Sequence, residues 1–430
     1  MNRNCILCLS LCFILNNQTI ASQVYSSIEK RDLYNHSIPN RLKGLNKTSN
    51  YINNSLNVIN KVNVNAVHQR IFFLKRLAKN KIWQKIQFDG FLKQGDKHKM
   101  LGEIKHRLYL LGYFKPKRIQ KNEFSKALAS ALSLFQKHHG LNPDGIIGPR
   151  SLAWLNTSPA QRADLLLRNL HRQQTFFDEV GQDYLLINIP QFQLSLVEQG
   201  KGILNSRVIV GKTKRPTPII SSQIKSVVLN PSWNVPRKIV RRDLLPKIRE
   251  NANYLDEENY EVFDFDDNPV ILKEFNWSKL AMGNFPYKLR QKPGPSNALG
   301  YVKFHFNNKH SVYIHDTPDK TLFDKHRRDF SSGCIRVEKA DELAQWFKEQ
   351  RLVNQTSWHQ VIEHNEENIW FKVKEPLPIY LVYWTAWVDS NNHVQYRNDI
   401  YDKENVILKN KKPQLDLRRN QTIAIYKHWK

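Results

Sequence analysis

The sequence predicts an α+β chain of several domains, helical in its N-terminal part and mainly β towards its C-terminus, with a helical insertion in the β part. Three observations lead there. Its 430 residues exceed one ordinary domain. Apolar residues recur at helical spacing up to about Phe177, and from Tyr184 the period switches to two. The alternation then lapses over Lys238–Leu289 and returns at Tyr301.

Taken in order, residues 1–22 read as a signal peptide. Arg3 precedes an apolar run from Cys5 to about Leu15, too short for a comfortable membrane span, and cleavage after Ala21 fits. Leu9-Ser10-Leu11-Cys12 is a poor lipoprotein box, because Leu11 is too large before the cysteine. Residues 23–65 are a polar, asparagine-heavy extension. Over 66–99, Ile71, Phe72, Leu74 and Leu77, then Ile82, Trp83 and Ile86, predict one or two amphipathic helices.

Residues 100–157 predict a compact three-helix module. Leu101, Ile104, Leu108 and Leu111 mark the first helix, and Leu128, Ala131, Leu132 and Phe135 the second, stopped at Gly140. The turn Leu141–Gly148 leads to a third helix opened by Pro149. His138 and His139 read as solvated caps. Residues 158–180 form a bridging helix with Leu165, Leu166, Leu167 and Leu170.

The β part opens with strands at Tyr184–Ile189, Phe192–Val197 and Ser206–Val210. Over 238–289, Ile239, Leu244, Leu245 and Ile248 suggest a helix; Asp264, Asp266 and Asp267 lack EF-hand spacing and read as a solvated turn. Tyr301–Phe306 is a strand that hairpins through Asn307–His310 to Ser311–His315. Glu338–Arg351 reads as a helix, Pro378–Val388 as a strand, and 403–430 as a basic tail.

Sixty-six basic against 39 acidic residues give a formal charge of +27. That suits anionic partners such as cell-wall polymers or a membrane surface, or reflects compositional bias alone. No recognition motif accompanies the charge, which argues against nucleic acid. Of the four cysteines, Cys5, Cys8 and Cys12 lie in the first fifteen residues. Loss of the signal leaves Cys334 without a disulfide partner in an oxidising compartment, so we read it as a nucleophile. Val312-Tyr313-Ile314 places His315 at a strand end, and Ile335-Arg336-Val337 alternates, putting Cys334 and Arg336 on one face. An imidazole near the thiol gives a thiolate–imidazolium pair, and N–H groups at Gly333 and Cys334 suit an oxyanion. Taken singly, a lone Cys is more often a small buried hydrophobe and a lone His a structural one. Beyond the expected signal peptide, where Cys5 and Cys8 are spaced CxxC, no HExxH, CxxC or paired-His spacing implies a metal, and no cofactor is called for.

His315-Asp316-Thr317-Pro318, Arg328 and Ser331-Ser332-Gly333-Cys334-Ile335-Arg336-Val337, with 19 positions from His315 to Cys334, resemble the L,D-transpeptidase catalytic domain of YkuD type. The large periplasmic subgroup is the nearer likeness. Gly211–Pro218 is similar to that family's Gly-x-x-x-x-x-Thr-Pro segment, and the FQ…GL…DG…G…L pattern within 100–157 resembles a peptidoglycan-binding domain. The resemblance implies a mainly-β catalytic domain over 181–402, with a lid insertion at about 238–289. It implies that Cys334 attacks the diaminopimelate carbonyl of a tetrapeptide donor stem, expelling D-alanine. The amine of an acceptor stem then resolves the thioester into a 3–3 cross-link. His315 is base and then acid, oriented by the backbone carbonyl of Asp316. Tyr313 joins the N–H groups of Gly333 and Cys334 at the oxyanion, and Ser332 shapes the loop. Arg336 binds a stem carboxylate or makes a structural salt bridge; Trp233 lines the cleft or sits in a core. Carbapenems are implied as acylating agents, and the periplasm or cell envelope as the location. Three rivals stay open: an L,D-carboxypeptidase with water as acceptor, attachment of an outer-membrane lipoprotein, and a non-catalytic wall-binding scaffold.

Overall fold

The computed structural model describes residues 63–79, 83–115, 122–364 and 366–404. The expected signal peptide, and nearly all of the polar extension and basic tail, lie outside them. The chain divides into two compact units. Of the described residues, one holds 70–169, 385–387 and 394–404; the other holds 63–69, 170–384 and 388–393. The sequence reading instead runs the β domain on to 402.

In the first unit the helices are Leu101–Leu110, Lys126–His138 and Pro149–Asn156. Ser125 caps the second, its Oγ accepting from Leu128 N at 3.3 Å. Leu101, Ile104, Leu108, Leu128, Leu132, Phe135 and Leu155 are all removed from solvent, each worth about 1.5–3 kcal/mol relative to exposure. Gln136 explains the motif beyond it: its Nε2 donates to Asp144 Oδ1 (2.9 Å) and Ile146 O (2.8 Å), and its Oε1 accepts from Gly145 N (2.8 Å). One buried amide thus pins the Asp144-Gly145 turn.

Among the described residues before Leu101 one helix forms, Val64–Ala78, within the one or two expected. Residues 83–99 are irregular, since Gly90 and Gly95 turn the chain at positive φ and Ile86 N donates to Asn156 Oδ1 at 2.9 Å. His138 and His139 are buried and are not solvated caps. His139 stacks between Phe135 and Tyr396, with ring centroids at 3.8 and 5.3 Å, and Arg162 Nη1 donates to its Nε2 at 2.7 Å. Burial first, then Arg162, hold that imidazole well below its usual pKa.

The second unit is built on strands β1 (Tyr184–Asn188), β2 (Gln193–Glu198), β3 (Lys201–Gly211) and β4 (Ile220–Leu229). After an insertion come β9 (Val302–Phe306), β10 (Ile314–His315), β11 (Asp329–Ser331), β12 (Ile335–Val337) and β13 (Ile369–Val382). Their order is β11-β3-β12-β10-β9-β4-β13-β1-β2, and β2 pairs back onto β3, closing the sheet. Closure removes the exposed edges that an open sheet would carry. The helix Ala340–Arg351 buries Leu343, Trp346 and Phe347, with the Phe347 ring 5.4 Å from Phe304 of β9.

The insertion is not purely helical. A helical stretch over 237–250 is joined by four short strands, β5 (Trp233–Asn234), β6 (Tyr260–Phe263), β7 (Pro269–Val270) and β8 (Lys288–Gln291). They form an antiparallel sheet ordered β5-β8-β6-β7. Strands of two to four residues are too short to show a period, which is why the sequence reads there as helix and turn. Val240, Leu244, Ile248, Leu255, Val262, Trp277 and Leu289 give the insertion a core of its own.

Candidate active site

Strand pairing assembles the site. β10 lies between β9 and β12: His315 pairs with Lys303 on one side and with Arg336 on the other. Residues paired across neighbouring strands share a face, and so do alternate residues along each strand. Tyr313, His315, Cys334, Arg336 and Lys303 therefore rise from the same side of the sheet. Ile335 N donates to Tyr313 O at 3.0 Å, which fixes Cys334 beside Tyr313, one step along from the His315–Arg336 pair.

His315 is nearly buried, and its Nδ1 donates to Asp316 O at 2.5 Å. A carbonyl only accepts, so the Asp316 contact places a proton on Nδ1, and the Leu299 carbonyl also lies within reach of the ring. Burial first, then the charge of Arg336, push this imidazole down to about 3. The Asp316 carboxylate turns away from the imidazole. It accepts from Tyr301 N at 3.1 Å and pairs with Lys320, and a Cβ at Gly300 would stand 2.3 Å from its Oδ2.

Cys334 is half-buried, and its thiol lies 3.9 Å from Ser311 O. The Tyr313 phenol meets the thiol and accepts from Trp233 Nε1 at 3.1 Å. Burial raises the Tyr313 pKa, and the nearby Cys334 raises it further. Burial also raises the thiol, against the opposing pull of Tyr313, Lys303 and Arg336. Burial thus favours a neutral thiol and a neutral imidazole at rest, where the sequence suggests an ion pair.

The loop before the thiol is held from beneath. Gly333 has φ +120°, which favours glycine. Its N–H donates to Ser331 Oγ at 3.1 Å, and Ser331 Oγ donates to Cys334 O at 2.5 Å. Donation from Gly333 to an oxyanion therefore requires that inner bond to open. Ser332 is exposed and accepts from Arg215 Nη1 at 2.8 Å; the same guanidinium pairs with Asp243 of the insertion. Arg328 donates to the carbonyls of Val208 (3.2 Å), Phe192 (3.1 Å) and Lys325 (2.8 Å), a bracing position. Arg336 makes no ion pair among the described residues, and its buried Nε has no hydrogen-bond partner there.

Thr217 is wholly buried; its Oγ1 accepts from Gly211 N at 2.9 Å and donates to Gly333 O at 2.8 Å. That pairing explains the spacing between Gly211 and Thr217. Thr217→Val keeps the shape and strands both backbone groups, so urea denaturation is expected to show a loss of about 1–3 kcal/mol. A loss under about 0.5 kcal/mol, the size of an ordinary surface change, would remove the hydroxyl from this role.

Sequence reasoning gave no role to Lys303, Ser331, Arg215 or the Asp316 carboxylate. Ser331, Arg215 and Asp316 stand inside the quoted motifs, and alternation in Val302-Lys303-Phe304-His305-Phe306 sets Lys303 and His305 on one face. Among the described residues no cluster of His, Cys, Asp and Glu is arranged to hold a metal.

The closed β-structure thus brings a half-buried thiol, a buried imidazole and two cations that make no ion pair among the described residues onto one face. Residues 182–355 match the YkuD family, the L,D-transpeptidase catalytic domain, and residues 97–155 match the family described as "Putative peptidoglycan binding domain". The chain thus carries a YkuD-type L,D-transpeptidase catalytic domain with a peptidoglycan-binding domain on its N-terminal side. A "Putative L,D-transpeptidase" of Haemophilus influenzae is 38% identical over 217 residues, covering 50% of this chain and 44% of that protein. The match therefore spans less than half of that relative's length. An L,D-transpeptidase of Stackebrandtia nassauensis is 13% identical, covering 68% of this chain and 94% of that one, with a TM-score of 0.25. One from Xylanimonas cellulosilytica, residues 123–326, is also 13% identical, covering 69% and 100%, with a TM-score of 0.22.

Proposed function

We propose that this protein is an L,D-transpeptidase of the cell envelope that forms 3–3 peptidoglycan cross-links through a thioester on Cys334. The observation that carries the reading is the strand register that sets Cys334, Tyr313, His315 and Arg336 on one face. His315 Nε2 takes the thiol proton as Sγ attacks the diaminopimelate carbonyl of a tetrapeptide stem. Cys334 N–H and the Tyr313 phenol stabilise the oxyanion. The imidazolium returns its proton to the D-alanine amine as it leaves, and the amine of a second stem then displaces the thiolate. The Asp316 carbonyl keeps the ring in the tautomer this needs. Arg336, which makes no close ion pair among the described residues and feels Asp319 only at longer range, receives a carboxylate of the stem. Carbapenems acylate the same sulfur.

The choice of acceptor turns on water. Trp233 in β5 and Asp243 within the helical stretch tie the insertion to Tyr313 and to the Arg215–Ser332 contact. A wall there disfavours hydrolysis and leaves transfer to an amine. Incubation with disaccharide-tetrapeptide, read by mass spectrometry, decides between them. Tetrapeptide–tripeptide dimers support the transpeptidase; tripeptide alone makes the protein a carboxypeptidase. Intact substrate with folded protein returns the wall-binding scaffold to the front.

A further inference from the structure

The mechanism above leaves Lys303 unused. Its register with His315 raises it on the face of the thiol, and its ammonium lies 4.5 Å from the centre of the Tyr313 ring and 5.6 Å from that of Trp370. Tyr313 is the residue whose phenol meets Cys334. Two aromatic faces hold a cation in place without neutralising it. Among the described residues Lys303 has no ion pair and no side-chain hydrogen bond. The groups around it are His305 on β9, Tyr313 and His315 on β10, Cys334 and Arg336 next to and on β12, and Trp370 on β13. Asp319, in the loop after β10, faces Arg336.

Charge is thus unevenly distributed on this face. Two full cations, Lys303 and Arg336, stand by a thiol, and the one carboxylate acting here is directed at Arg336. The imidazole is held neutral, so it supplies no standing charge. Burial disfavours the ammonium of Lys303 and Cys334 favours it, while Lys303 in turn favours the thiolate.

We propose that Lys303 is a charge-positioning residue for Cys334: its ammonium, propped by Tyr313 and Trp370, is the standing counter-ion of the thiolate. The proton passes from Sγ to Nε2 of His315, and the negative charge left on sulfur is balanced by an ammonium that exchanges no proton. The imidazolium formed is disfavoured by the same cations, so it readily gives its proton to a leaving amine. The inference rests on Cys334 being the nucleophile, and is independent of which acceptor resolves the thioester.

The test follows the rate of Cys334 alkylation by iodoacetamide against pH in the full chain, read on the Cys334 peptide by mass spectrometry. No cell-wall substrate enters, so failure of the proposed function and failure of this inference are distinguishable. In Lys303→Met the pH midpoint is expected to rise by about 0.5–1 unit, the lower end of what a nearby opposite charge produces. Lys303→Arg is expected to hold the wild-type midpoint. An unchanged midpoint in a folded Lys303→Met protein overturns the proposal. So does an equal rise in both variants, which makes the effect one of packing. A measurement on the wild type needs no variant: a fixed cation speeds anionic iodoacetate relative to neutral iodoacetamide. The rate ratio is expected to exceed that of glutathione several-fold, and a ratio no higher than glutathione's also overturns the proposal.

Discussion

Replacing Cys334 with alanine is expected to abolish acyl-enzyme formation and reduce D-alanine release from tetrapeptide stems at least about 10³-fold. No neighbouring hydroxyl is placed to substitute. Ser331 Oγ is committed to Cys334 O and Gly333 N, and Ser332 Oγ to Arg215. The thiol itself makes only a long contact to Ser311 O, beyond its meeting with Tyr313, so the melting temperature is expected to move little. Release of D-alanine at an undiminished rate by a folded Cys334→Ala protein is incompatible with the mechanism.

His315→Asn is expected to slow acylation about 10²–10⁴-fold, the usual contribution of a positioned general base. It also carries a signature in stability. Folding pushes the imidazole from 6.5 down to about 3, chiefly by burial and next by Arg336. Below pH 6.5 the unfolded chain takes up a proton here that the folded chain refuses. The stabilisation from this group is therefore fully present above pH 6.5, and it is lost progressively as the pH falls towards 3. Urea midpoints between pH 7 and 4 are expected to fall more steeply for the wild type than for His315→Asn. Parallel slopes in the two proteins would place the imidazole in a solvated setting and contradict the buried site.

Much of the site was legible because its residues cluster in two short segments. His315 ends one strand and Cys334 opens another, and period-two alternation alone sets Arg336 with Cys334. The Asp316 carbonyl that accepts from the imidazole is in the residue after the histidine, and Trp233 touches both Tyr313 and the core of the insertion. What stayed hidden depends on register between distant strands. Lys303 meets His315 only because β9 and β10 pair as they do. The bridge from Ser332 through Arg215 to Asp243 joins three separate segments, and no spacing announces it. His139 reads as a cap until Tyr396, from the far end of the chain, stacks on it. The insertion's sheet was obscured for a different reason: two-residue strands have no alternation to read.

The most direct test of the central claim is to catch the thioester. The protein is mixed with a tetrapeptide donor stem, quenched in acid within the first turnovers, and weighed intact before peptide mapping. The account predicts an adduct equal to the stem less D-alanine, on the peptide containing Cys334 and absent from Cys334→Ala. D-Alanine released with no adduct on Cys334, or with the adduct on another residue, would contradict it.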